Sequence, residues 1–121
     1  MRNVDCPLDY SLCQQTVTVY RKQTDGIYRQ VVENCFFRLE RHRKVDALGC
    51  RGEKTLLLIV PGDTRCVFPG DRVMEGVGPE VSAEAWSQFV PALVEGLAQV
   101  SYATPFVWEG RLCHVEAGGK A

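Results

Sequence analysis

Short apolar runs separated by polar turns dominate the pattern of this chain. Thr16-Val17-Thr18-Val19-Tyr20 alternates in the period of a strand. Thr24-Asp25-Gly26 predicts a reversal, because glycine accepts the backbone angles of a tight turn. Ile27-Tyr28-Arg29-Gln30-Val31-Val32 resumes as a second strand, so residues 16–32 read as a hairpin. Asn34 interrupts the run, and Cys35-Phe36-Phe37-Arg38-Leu39 is a third strand or the same strand past a bulge. Thr55 to Val60 is apolar on both faces and reads as a central strand, ended by Pro61-Gly62-Asp63-Thr64. Shorter extended pieces follow at Cys66–Phe68 and Arg72–Glu75. Two more strands, Val100–Thr104 and Leu112–Ala117, flank the Glu109-Gly110 turn.

One stretch has a helical period. Ser82 can cap an amide, Glu84 suits the first turn, and Trp86, Phe89, Val90, Leu93, Val94 and Leu97 recur at helical spacing. Pro91 lacks an amide donor and clashes with the preceding turn, so the expected helix is short, from Ala83 to about Phe89. A longer kinked helix is the alternative. The whole pattern predicts a mainly β chain with one short helix, a small β-barrel or sandwich-like domain with a long inserted loop. At 121 residues it makes one domain, with residues 16–117 as its body, 1–15 as a flexible N-terminal arm and 118–121 as a C-terminal tail. The inserted loop is Glu40–Lys54, which is charged, carries two glycines and shows no clear period. Loops of that length in compact domains tend to be functional or disordered.

Composition narrows the possible partners. The net charge of −1 creates no overall attraction to nucleic acid or an anionic membrane. The opening Met1–Asp5 lacks the apolar stretch of a secretion signal, and the longest apolar run, Leu56–Val60, is too short to cross a bilayer. With no export signal and no C-x-x-C pair among the six cysteines, free thiols are expected, several of them as small buried hydrophobes. A disulfide framework is the alternative, and a zinc site would need scattered ligands.

Reactive constellations are thin. Cys113-His114 is the single adjacent thiol–imidazole pair, but strand neighbours point to opposite faces, which puts Cys113 in the core and His114 outside. Otherwise His42 would have to come from the insertion to serve Cys113. With His42 and His114 as the only histidines and no spaced carboxylate set, no metal or other cofactor is expected. Gly76-Val77-Gly78 is better explained as a turn than as a nucleotide loop. The chain is therefore expected not to be an enzyme. One basic concentration stands out: Arg38, Arg41, Arg43, Lys44, Arg51 and Lys54, with His42 among them. It is a solvated loop, a phosphate-binding element or the counterpart of an acidic patch on a neighbouring subunit. No aromatic lies between Arg38 and Lys54 to stack a base, so nucleic acid is not expected as a specific ligand. Phe89 and Phe106 suit packing, while Trp86 and Trp108 are candidate interface aromatics.

In strand order the chain resembles the small structural proteins encoded in head–tail gene blocks of tailed phages and prophages of Gram-positive bacteria. The resemblance spans roughly residues 16–119. It rests on Thr16–Lys22 leading into a hairpin, Asn34-Cys35-Phe36-Phe37, the charged insertion, Thr55–Val60, Pro69-Gly70-Asp71-Arg72-Val73, Gly76-Val77-Gly78 and the closing His114–Gly119. The high cysteine count and the apolar, helical look of Ser82–Leu97 depart from that family. The resemblance implies a head-completion, adaptor or stopper-like virion protein at the portal–tail junction. Such proteins look like small barrels that assemble as rings with copies of themselves and with neighbouring head–tail proteins. It implies residence in the bacterial host cytoplasm and then in the virion, no membrane, and no catalytic residues. The alternative function is a small nucleic-acid-binding β-barrel using the basic loop 38–54.

Overall fold

The alternating Thr–Val run becomes β1 (Gln15–Gln23), and the chain reverses into β2 (Gly26–Asp46), which is 21 residues long. The computed structural model describes residues 6–46 and 49–121, and over 42–53 the backbone alone. The remaining strands are β3 (Gly49–Pro61), β4 (Arg72–Glu75), β5 (Leu97–Trp108) and β6 (Arg111–Lys120). All pairings are antiparallel, and the sheet closes into a barrel in the order β1-β2-β3-β6-β5-β4. The mainly β expectation holds, and its barrel form is the one adopted.

Asn34 explains why β2 is so long. Its φ of 59° is left-handed, a conformation asparagine tolerates better than most residues. The register slips there, with Gln15 opposite Cys35 but Val17 opposite Val32. The bulge bends one continuous strand instead of ending it. Before the bend β2 pairs with β1; beyond it, from Phe36, β2 pairs with β3.

The core takes Val17 and Val19 from β1, Phe37 from β2, Leu56, Leu58 and Val60 from β3, Val73, Val100 and Ala117. The outer face of β1 is covered as well, with Thr18 and Tyr20 both at 0% exposure. The connection between β4 and β5 folds over it. Thr18 Oγ1 donates to the Gly76 carbonyl at 2.6 Å and accepts from the Gly78 amide at 2.8 Å. The Tyr20 hydroxyl donates to the Pro79 carbonyl at 2.7 Å, and its ring meets Phe89 edge-on.

This connection is where the sequence suggested a helix. Its apolar residues do form a second small core of Tyr20, Phe89 and Leu97, with Trp86, Val81 and Val94 packed against it. The backbone, however, makes only one 3-10 turn at Trp86–Gln88. Two causes compete with the helix. Pro91 removes a donor, and the Arg72 guanidinium donates to the carbonyls of Trp86 and Phe89, two acceptors a continuing helix would need.

The expected tail is structural too. β6 continues to Lys120, and Gly118 and Gly119 are buried in it. A methyl group on Gly119 would overlap the backbone carbonyl of Gln99, so only glycine lets β5 and β6 approach here. Asp71, 1% exposed, accepts from Arg21 Nε and a terminal guanidinium nitrogen at 2.8 Å each and from the Phe68 amide. The Arg21 guanidinium also lies over the Tyr28 and Phe68 rings.

Candidate assembly interface

The basic insertion is not a loop. β3 gains β6 as a neighbour only from Thr55, which pairs with Lys120, and β1 accompanies β2 only as far as Cys35. The Gln15 side chain adds one rung by exchanging hydrogen bonds with the Phe37 backbone. Past that point, among the described residues, β2 and β3 are each other's ladder partner, with one further bond at the base, where the Ala121 amide donates to the Lys54 carbonyl at 3.1 Å. They stay in register from Arg41 opposite Lys54 to Asp46 opposite Gly49. The expected loop is therefore a two-stranded ribbon, about 20 Å long at strand rise, standing off the barrel. Residues 47–48 lie outside the described residues. The signal that could have revealed it is its own length, because a compact domain seldom leaves so many residues without pairing.

Register gives the ribbon an electrostatic problem. Arg41 is opposite Lys54, and Lys44 is opposite Arg51. Like charges directly across a ladder destabilise it. The stretch 38–54 holds six cationic residues, Arg38, Arg41, Arg43, Lys44, Arg51 and Lys54, against Glu40, Asp46 and Glu53. Among the described residues, the ion pair here is Arg38 with Glu40 at 3.5 Å, with both side chains more than half exposed. Near the tip Val45 is opposite Cys50, an apolar rung between the cationic pair Lys44/Arg51 and the rung of Asp46 opposite Gly49.

The predicted residues thus fall on one element. Arg41 is exposed and Lys54 half-buried at the ribbon's base, where both line a cavity of about 330 Å³ with Pro91, Glu95, Gly96 and Leu97. His42, Arg43, Lys44 and Arg51 follow along the ribbon backbone, their side chains outside the description. The two tryptophans separate. Trp86 is half-buried, with the Arg72 guanidinium 3.8 Å above its ring, and acts in packing the connection. Trp108 is 43% exposed at the end of β5, beyond the Pro61–His114 end of the β3–β6 ladder and away from the ribbon.

That far end carries a feature the sequence reading missed. Cys6 and Cys113 form a disulfide, where free thiols were expected, and it ties residues 107 apart in sequence. Spacing could not reveal it, because the fold alone brings the two Cα atoms to 5.8 Å. Cys113 faces inward as expected, but His114 is not outside: at 7% exposure it is covered by the returning N-terminal segment. Tyr10 shares a 2.6 Å hydrogen bond with His114 Nδ1 and meets its ring edge-on, while Phe106 stacks on it. Burial pushes the His114 pKa down, against a smaller opposing pull from Glu116. The disulfide also removes Cys113 as a nucleophile. Burial raises the pKa of the free thiols Cys13 and Cys66, and raises Cys35 to about 12. None of the three has the lowered pKa of an activated thiol.

Among the described residues no group of three His, Cys, Asp or Glu side chains could hold a metal ion, and no helix is long and apolar enough to cross a membrane. No protein-family model, no curated protein and no solved structure matches the chain.

Proposed function

We propose that this protein is a non-catalytic structural subunit of a tailed phage or prophage, assembling with its own copies as a ring at the head–tail junction and contacting neighbouring head–tail proteins there. The observation that carries the reading is the ribbon: two strands leave a closed barrel, oppose cation to cation at two rungs and, beyond their base, pair only with each other among the described residues. A closed barrel has no edge of its own to offer, so the ribbon's two open edges are the natural place for contact with another chain. Ring contacts are heterologous, joining two different patches, and a protruding element on one side of a compact body suits that geometry. The Cys6–Cys113 bond suits a protein that ends in a particle outside the reducing cytoplasm.

The test is a chain in which residues 41–53 are replaced by a two-residue turn. Its melting curve and circular dichroism are expected to match those of the full chain, while sedimentation and native mass spectrometry lose the oligomer that the full chain forms at high concentration. Equal association by both chains contradicts the reading.

A second reading has one observation in its favour. A two-stranded ribbon fits the DNA major groove, and the paired cations Arg41/Lys54 and Lys44/Arg51 are what a phosphate backbone attracts. Binding to duplex DNA that weakens steeply with salt, and disappears without residues 41–53, supports it. The absence of binding at low salt removes it.

A further inference from the structure

The ribbon's charge and shape specify what it docks on. From Val73 to Gly110 the chain carries five glutamates, Glu75, Glu80, Glu84, Glu95 and Glu109, and no other charged residue or histidine. Three of them, Glu80, Glu84 and Glu95, are exposed on the β4–β5 connection, and none is in an ion pair among the described residues. The connection is held in place although it lacks regular structure. Arg72 binds its Trp86 and Phe89 carbonyls at 2.8 and 2.7 Å, Arg29 binds the Gly78 carbonyl, and Tyr20 holds Pro79. Its surface is a groove of about 570 Å³ with Ile27 and Val81 as apolar wall, Glu80 and Ser82 beside them, and Arg29 at its edge with its guanidinium turned to the Gly78 carbonyl. The ribbon presents the converse order along its length, an apolar rung, Val45 opposite Cys50, next to the cationic rung of Lys44 and Arg51. Within one copy the ribbon's base already lies against this connection, with Arg41, Lys54 and Glu95 around one cavity.

We propose that the ribbon of one copy docks in the Ile27–Val81 groove of a second copy, its cations meeting Glu80 and Glu84. The contact rests on the ring-forming role proposed above and names its receiving surface. It is heterologous, so each copy uses its ribbon on one side and its groove on the other, and the contact propagates until the ring closes. It also places acids opposite the like-charged rungs Arg41/Lys54 and Lys44/Arg51.

The test mixes isotopically light and heavy full-length chains at high concentration and couples carboxylates to amines with a zero-length carbodiimide. Mixed-isotope links from Lys44 or Lys54 to Glu80 or Glu84 are expected. In parallel, sedimentation compares the wild type with Glu80→Lys/Glu84→Lys, with Lys44→Glu/Arg51→Glu, and with the four changes combined. Each pair is expected to weaken association by about tenfold or more, and the combination to restore most of it. If association falls with the ribbon changes but ignores Glu80→Lys/Glu84→Lys, the groove is the wrong receiver and the ring reading stands. If the wild type stays monomeric with no intermolecular links, both fall. If the ribbon changes abolish salt-sensitive DNA binding while self-association is unaffected, the partner is nucleic acid and the inference is overturned.

Discussion

Over Phe36–Leu39 strand β2 lies on the barrel, with Phe37 buried in the core; over Arg41–Asp46 the same strand has β3 as its one ladder partner among the described residues. β3 divides in the same way. Leu56, Leu58 and Val60 are buried, while Gly49–Glu53 belong to the ribbon and Lys54 sits half-buried at its base. The backbone pairing is continuous across the boundary, so hydrogen bonds alone do not distinguish the halves. What changes is the support. A two-stranded hairpin in water is marginal by itself, and here its rungs include like-charged pairs. Charged open edges also resist indiscriminate strand pairing.

The largest expected effect contrasts two positions on β3. Leu58→Ala removes a fully buried side chain and is expected to cost about 4 kcal/mol. Glu53→Ala, on the ribbon, is expected to change stability by less than about 0.5 kcal/mol. Urea unfolding of both variants checks the pair, and comparable losses would erase the distinction between the halves.

Next in size is the disulfide, which anchors the N-terminal segment at the other end. Cys6→Ser, or reduction of the wild type, is expected to lower stability by about 2 to 4 kcal/mol through the long loop that Cys6 and Cys113 close. Thermal melts with and without reductant should differ for the wild type and coincide for Cys6→Ser. A reductant effect that persists in the variant would point to another bridge.

These contrasts mark what could be read from the sequence. Alternation at Val17–Tyr20 and the apolar run Leu56–Val60 located the barrel strands, because burial there follows a local period. The interruption at Asn34 was legible as either a new strand or a bulge, and the register slip there makes it the bulge. The ribbon was hidden because its pairing is set by register and not by an apolar stripe. The Ser82–Leu97 segment misled in the opposite direction: its apolar spacing serves a real second core, but Arg72, brought over by β4, binds the carbonyls a helix needs. His114 was placed outside because strand alternation cannot show that Tyr10, 104 residues earlier, returns to cover it. For the candidate site, the basic residues could be named from the sequence, but their placement along a two-stranded ribbon could not.

A smaller effect sharpens the ribbon itself. Lys44→Glu turns the rung opposite Arg51 from repulsive to attractive and is expected to stabilise the free ribbon by about 0.5 kcal/mol while weakening self-association. Slower amide exchange near residue 44 in the monomer, together with a weaker dimerisation constant, is the combined signature. A tighter association would reverse the role given to the charge.

The smallest expected effect is a pH dependence at the opposite end. Unfolded, His114 takes up a proton near its ordinary pKa of 6.5; folded, burial holds that pKa lower. Between the two values the unfolded chain binds more protons, so this contribution to stability is complete above pH 6.5 and is lost as pH falls through the folded pKa. The melting temperature should drop below pH 6.5 more steeply for the wild type than for His114→Gln. Parallel curves would mean that another group controls the slope.

Amide hydrogen exchange, residue by residue, tests the central claim most directly. In the monomer, Leu56, Leu58 and Val60 should be protected to the level of global unfolding, while amides between 42 and 53 exchange orders of magnitude faster and become protected only when copies associate. Protection of the ribbon in the isolated monomer equal to that of Leu58 would contradict the account.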